Sequence, residues 1–363
     1  MAQATIDFTS SLYLGIRHPS RSLRPWLQLT TGKPAALGAV PRASAVADAL
    51  AKLQGCDSVT LLPSTLHLFI DSFDVLRRDA ISLYVDEAAY PIARWGAERA
   101  ATRGVRLREI PHFNPEAAYR LIKADKVIGL RPVILADGFC PDCGRFAPLR
   151  GYLQCVGALD GYVVLDDTQA LGIWGAGHDR VNPYGRGGGG SLRYYGLQSG
   201  QVVIGSSLAK AFGVPLAALG GSAQLVKRFL RLSETRVHAS PPSIAALHAA
   251  EHALFINSER GDDIRRRLAE RVDRFRDGAR RAGLHGNDSP FPVQMLVPDS
   301  GDPKQLLRIL RAVGIHTAVV QTRTMRETKL VFIVNASHTV GEIDRAIRAM
   351  MTAMSQLVHK RGE

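Results

Sequence analysis

The sequence predicts an α/β protein: a mainly parallel, doubly wound sheet of seven strands with helices on both faces, followed by a smaller α+β domain. Three observations predict it. Short apolar runs alternate with helical patterns from about residue 43 to 235. After Gly283 the pattern changes to strand, helix, strand, strand, helix. The 363 residues, 46% hydrophobic with a mean hydropathy near zero, suit a globular chain of about two domains.

The strands are read in order as "SVTLL" (58–62), "ISLYVD" (81–86), "VRLREI" (105–110), "PVILA" (132–136), "YVVLD" (162–166), "QVVIG" (201–205) and "PLAALGG" (215–221). Between them, stretches such as "SAVADALAKLQG" and "PEAAYRLIKADK" place apolar residues at i, i+3 and i+4, the helical spacing. Strands alternating with helices favour a parallel sheet, whose ligands sit beyond the carboxyl ends of the strands. In the smaller domain "FPVQMLVP", "IHTAVVQ" and "KLVFIVN" are strands, and "PKQLLRILRAVG" and "TVGEIDRAIRAMMTAMSQL" are helices. The expected division is an N-terminal segment 1–42, a large domain 43–255 and a small domain 256–363.

Net charge is +13, from 46 Lys+Arg against 33 Asp+Glu. Such a balance can mark nucleic-acid binding, but here the basic residues are scattered. The densest run, 262–281, has Ile264, Leu268, Val272 and Phe275 on one helical stripe, with acids between the arginines. It reads as a solvated helix face with a Glu270–Arg274 pair, and no nucleic-acid partner is expected. No run reaches the roughly 18 apolar residues that span a bilayer, so no membrane association is expected. The start shows no basic region followed by an apolar core, and the expected location is cytoplasmic.

"CPDC" (140–143) holds two of the four cysteines. A zinc site would want a second pair, or histidines at ligand spacing, so the motif reads as a turn and no metal is expected. "NPYGRGGGGSLRYYGLQSG" (182–200) could cradle a phosphate, but no Lys-Ser/Thr follows its glycines. It reads as a mobile loop near the site.

Three polar features stand at strand ends: Asp137 in "PVILADGF", Asp166 and Asp167 in "YVVLDDTQALG", and Ser206, Ser207 and Lys210 in "QVVIGSSLAKAFG". Each acid alone could be a helix N-cap. Together they place acids, hydroxyls and an amine on one edge of one sheet. A lysine among small and apolar residues shifts its pKa readily and attacks carbonyls. Its best-known partner is pyridoxal phosphate, whose ring nitrogen an acid keeps protonated.

These residues resemble the α-oxoamine synthase family of fold-type I pyridoxal-phosphate enzymes, with an aspartate aminotransferase-like fold; 8-amino-7-oxononanoate synthase, glycine C-acetyltransferase and serine palmitoyltransferase belong to it. "FTSSLYLG" (8–15), "DEAAYPIARWG" (86–96), "DGFCPDCGRFAPL" (137–149), "VVLDDTQALGIWG" (163–175), "GSSLAKAFG" (205–213), "ETRVHASPPSIAAL" (234–247) and "VNASHTVGEIDRAI" (334–347) are each similar to a family segment. The resemblance implies that Lys210 forms the internal aldimine and moves the α-proton, that Asp166 binds the pyridinium and that Tyr90 stacks on the ring. It implies that Thr65, Leu66 and Ser207 bind the phosphate, that Gln169 reaches the phenolic oxygen and that Asp137 lies beside the ring. It also implies a homodimer with the site at the subunit interface, where Ser240 is the candidate contribution from the partner; the bland alternative for Ser240 is a helix N-cap.

The substrate side departs from the pattern. "TTGKPAALGAVPRAS" (30–44) replaces a glycine-rich segment, and the family's carboxylate-binding arginine falls on Val331. Lys329, Arg323 or Arg326 could substitute, although lysine lacks the bidentate fork. The expected function is condensation of an amino acid with an acyl thioester, the donor being an acyl-CoA or an acyl carrier protein. The alternative within the cofactor class is an aminotransferase or other carbanion chemistry on an amine. A non-catalytic binding module that kept the fold is the alternative outside it.

Overall fold

The computed structural model describes residues 5–38, 40–126, 129–299, 301–322 and 327–359. Seven strands form the large sheet: β1 (Ser58–Leu62), β2 (Ile81–Asp86), β3 (Arg106–Ile110), β4 (Arg131–Asp137), β5 (Tyr162–Asp166), β6 (Val202–Ser207) and β7 (Ala217–Gly221). Their spatial order is β1-β7-β6-β5-β4-β2-β3. All neighbours are parallel except β7, which runs antiparallel to β1 and β6. The expected fold class is the observed one.

The central strands are apolar because helices cover both faces. Every residue of β2 is buried, as are the five between the ends of β4. Polar residues therefore collect where the strands stop. In register, Asp137 pairs with Asp166, and Asp166 with Gly205, so the two acids end neighbouring strands side by side. β1 points the same way and leads into the helix Thr65–Leu76, whose Ser64 cap accepts from the His67 N–H at 3.5 Å. The carboxyl edge thus carries two acids, a hydroxyl at Ser207 and a helix N-terminus.

A second sheet, of β8 (Leu284–His285), β9 (Val293–Pro298), β10 (Ala318–Gln321) and β11 (Thr328–Ile333), is antiparallel in the order β8-β9-β11-β10. Ile6–Asp7 pairs in parallel with Ile315–His316, tying the N-terminal segment to this end of the molecule. A single helix, Ile244–Arg281, links the two sheets and runs unbroken across residue 255. Its cap is Ser243, whose hydroxyl accepts from the Ala246 N–H at 3.1 Å, so the N-cap reading of Ser240 is corrected. Ile264, Leu268, Val272 and Phe275 are buried along it. Arg274, however, does not pair with Glu270; it forms a two-pronged contact with Asp344 at 2.6 and 2.8 Å. The final helix supplies a fixed acid, which outcompetes an i,i+4 neighbour that needs two exposed side chains to be held in place.

The glycine-rich run is also corrected. It is packed, and none of residues 182–190 lines the cavity described below. The Gly172 N–H donates to Gly188 O at 2.7 Å and the Gly190 N–H to Trp174 O at 2.7 Å. Gly188 has φ +69°, and a Cβ there would lie 2.7 Å from Gly172 O and 2.6 Å from the fully buried Arg265 guanidinium. The glycines permit backbone-on-backbone packing, a requirement that composition alone cannot separate from flexibility. Among the described residues, no helix is long and apolar enough to cross a membrane.

Candidate active site

Beyond the carboxyl edge lies a cavity of about 420 Å³, within the usual range of ligand pockets. Its floor comes from the large sheet: Thr65, Tyr90, Asp137, Asp166, Thr168, Gln169, Ser207 and Lys210. Its roof comes from the second sheet, with Met295, Val320, Gln321 and Thr322. Cys140, Pro141 and Asp142 form one wall.

Lys210 is half-buried after β6, with its Nζ 5.8 Å from the centroid of the Tyr90 ring. Tyr90 precedes a proline-initiated helix, and its N–H donates to Asp137 Oδ1 at 2.8 Å. Asp137 therefore fixes the backbone that presents the ring. Asp166 is buried, and its Oδ1 accepts from the Thr168 N–H at 3.1 Å. Thr168 Oγ1 in turn accepts from the Ser207 N–H at 3.0 Å, coupling the ends of β5 and β6. Ser207 Oγ accepts from the Ala209 N–H at 3.2 Å. Gln169 lines the cavity, and its Oε1 accepts from the Tyr13 hydroxyl at 2.7 Å. Burial pushes the Tyr13 phenol far above its ordinary range, so it stays a donor.

Asp167, the next residue along, has another role. It is fully buried, and its carboxylate accepts from the Ser191 N–H at 3.0 Å and from the Ser191 hydroxyl. Gly138 and Gly190 make room for it: a Cβ on either would lie 2.2 or 2.1 Å from its oxygens. Burial raises the Asp167 carboxyl to about 7, the Ser191 bonds pull it down, and the Asp166 charge pushes it up.

Sequence reasoning missed Thr168, Tyr13 and the whole roof. Tyr13 lay inside a quoted motif, but only the fold brings it 156 positions along to Gln169. Leu66 starts the helix beside Thr65 with its side chain exposed. Ser240 lines a separate cavity with Ala35, His67, Thr235 and Arg236. Lys329 is ion-paired with Asp142 at 2.8 Å and Glu327 at 3.6 Å, and Val331 is buried in β11. Arg323 and Arg326 lie outside the described residues.

The aminotransferase class I and II family profile matches residues 97–350, which hold both Asp166 and Lys210. The chain belongs to the aminotransferase class I and II family. Within it, the chain is 27% identical over 316 residues to the 8-amino-7-oxononanoate synthase of Nitrosococcus oceani, covering 85% of this chain and 78% of that protein. Alignments with other synthases of that name cover as little as 55% of their length. A serine palmitoyltransferase structure from Sphingomonas wittichii superposes with a TM-score of 0.83 at 14% identity, over 97% of this chain and 88% of that one. An 8-amino-7-oxononanoate synthase structure from Francisella tularensis does so with a TM-score of 0.70 at 16% identity, over 97% and 98%. This family member is thus similar in sequence to 8-amino-7-oxononanoate synthases and in fold to serine palmitoyltransferase, whose structures include ones with bound pyridoxal phosphate.

The cavity's donor set fits that cofactor. An amine, a buried carboxylate, an aromatic face and a helix N-terminus flanked by a hydroxyl match a carbonyl, a ring nitrogen, a ring face and a phosphate in turn.

Proposed function

We propose that the chain is a pyridoxal-phosphate-dependent acyltransferase that condenses an amino acid with an acyl thioester. The observation that carries this reading is the convergence of Lys210, Asp166, Tyr90, Ser207 and the Thr65 helix start on one cavity. Pyridoxal phosphate supplies an electron-withdrawing ring that weakens the bond to be broken at the substrate's α-carbon.

Lys210 would hold the cofactor by its amine, and its Nζ would be the group that moves the substrate's α-proton. Asp166 keeps a proton at the ring nitrogen, where a buried carboxylate favours the cation. Tyr90 packs on the ring face, and Asp137 holds Tyr90 in place. The N–H groups of Thr65 and Leu66 and the Ser207 hydroxyl bind the phosphate. Gln169 donates its amide to the phenolic oxygen and cannot titrate there. The working unit is a homodimer, with Ser240 of the partner subunit completing the phosphate site. Lys329 is the candidate cation for a substrate carboxylate, shared with Asp142 and Glu327.

One observation favours a second reading. Among the described residues no arginine lines the cavity, and the expected arginine position is the buried Val331. That suits an amine without a carboxylate, and hence aminotransfer or other carbanion chemistry.

The test begins with borohydride reduction in the presence of pyridoxal phosphate, followed by peptide mass analysis. The cofactor mass is expected on the peptide containing Lys210. Release of free CoA from acyl-CoA, driven by one amino acid from a panel, then supports the acyltransferase. Amino transfer to a keto acid without acyl-CoA supports the second reading. No label on Lys210 overturns both and leaves a binding module.

A further inference from the structure

We propose that His112, Cys140 and Cys143 form a binding site for a divalent zinc-class cation in the wall of the cavity. The three ligand atoms all lie within 4.8 Å of one another. His112 Nε2 is 3.3 Å from Cys143 Sγ. Zinc–sulfur and zinc–nitrogen bonds of about 2.3 and 2.0–2.1 Å at tetrahedral angles put neighbouring ligand atoms about 3.5–3.8 Å apart. The cluster is therefore close to ligating geometry.

The supporting structure is that of a metal-binding turn. Cys140 ends the strand Phe139–Cys140 and Arg145 begins the paired strand Arg145–Phe146, so the cysteines flank a tight hairpin turn. Inside it the Cys143 N–H donates to Cys140 Sγ at 3.5 Å and the Gly144 N–H to Cys140 O at 2.9 Å. Gly144 takes φ +69°, and a Cβ there would lie 2.7 Å from both Asn287 and Ser289. Asn287 Nδ2 braces the turn from outside, donating to Pro141 O at 3.0 Å and Asp142 O at 2.8 Å.

The third ligand is oriented for the purpose. Asp86 ends β2, and its carboxylate lies 2.8 Å from His112 Nδ1 while also accepting from the Ala88 and Phe113 N–H groups. A carboxylate on the far ring nitrogen fixes the tautomer whose Nε2 is the ligating atom, the usual outer support of a metal-bound histidine. The His112 ring is also stacked on Phe113, with centroids 3.9 Å apart.

Two thiolates, a neutral imidazole and a dication sum to zero charge, which suits a site where Cys140 is 7% exposed. Binding releases the thiol protons to solvent and involves no change of oxidation state. Three protein ligands leave a fourth position for water. A disulfide would use only the two sulfurs and would not engage His112 Nε2, which lies 3.3 Å from Cys143 Sγ. Because Cys140, Pro141 and Asp142 line the cavity, the ion would hold that wall to the loop after β3.

The test uses the untagged full chain, purified without chelator and then dialysed against zinc and freed of excess. Elemental analysis is expected to find about one zinc per chain, and cobalt substitution to give thiolate-to-metal absorption. Cys56→Ser and Cys155→Ser should keep the metal. Cys143→Ser and His112→Gln should each reduce the bound metal by about tenfold or more. The wild-type measurement decides the matter even if a variant fails to fold. Less than about 0.1 zinc per chain, with Cys140 and Cys143 recovered either as free thiols or as a disulfide peptide lighter by two hydrogens, overturns the site.

Discussion

The floor and the roof of the cavity were built under different constraints. The floor belongs to the large sheet, where Asp137, Asp166 and Ser207 end neighbouring strands and Lys210 follows the third. Its chemistry is narrow: an amine, an acid and an anion-binding end, in fixed relative positions. The roof belongs to the antiparallel sheet, where Met295, Val320, Gln321 and Thr322 face the same space and Lys329 is engaged by two acids. The resemblance to the α-oxoamine synthases rests on the floor, at Asp166, Ser207 and Lys210, whereas the second sheet carries Val331 where that resemblance expects an arginine. Under the proposed function, the contrast separates what a cofactor demands from what a substrate selects.

The largest expected effects break the floor. Lys210→Ala should abolish borohydride-fixed label and lower turnover by about 10²–10⁴-fold, the usual worth of a positioned acid–base group. Circular dichroism should show the variant folded; full labelling at another residue would remove Lys210 from its role. Asp166→Asn should lower turnover by about 10²-fold, roughly 2.7 kcal/mol, while Lys210 still takes the label. Unchanged turnover would assign Asp166 to structure, like its neighbour.

That neighbour sharpens the comparison. Asp167 has a folded-state pKa raised from 3.8 to about 7, so the folded protein binds more protons than the unfolded chain between those values. Its favourable contribution is complete below about pH 4 and lost as pH rises through about 7. Urea midpoints measured across this window should fall with pH in the wild type, and the Asp167→Asn profile should be flatter. Equal slopes would place the pH dependence elsewhere. Gly188→Ala should cost about 1–3 kcal/mol in the same assay, because its positive φ and the Gly172 carbonyl leave a side chain no space. A neutral result would restore the reading of this run as a loose loop.

The smallest expected effect probes the roof. Lys329→Ala should raise KM by about threefold or less with kcat unchanged, because Asp142 and Glu327 already share its charge. A rise of tenfold or more would make Lys329 the principal cation for a substrate carboxylate.

Much of the floor was legible because it is local in sequence. Each residue stands at the end of an apolar run, and a parallel sheet sends all such ends to one edge. What was not legible joins distant positions. Tyr13 meets Gln169 across the molecule, and His112 meets "CPDC" from a loop 31 positions before Cys143. The pattern of the run 262–281 placed its buried stripe correctly, but the partner of Arg274 came from the last helix.

By itself, then, the sequence determined the α/β class, the seven strands, the strand-end chemistry and the lysine, because periodicity and local residue type encode them directly. Only the tertiary structure decided that Asp166 faces a cavity while Asp167 is buried against Ser191. Only it decided that the glycines pack rather than flex, and that a histidine completes a pair of cysteines. These outcomes depend on which loops and strand ends meet in the folded chain, and packing between distant segments leaves no periodic trace in the sequence.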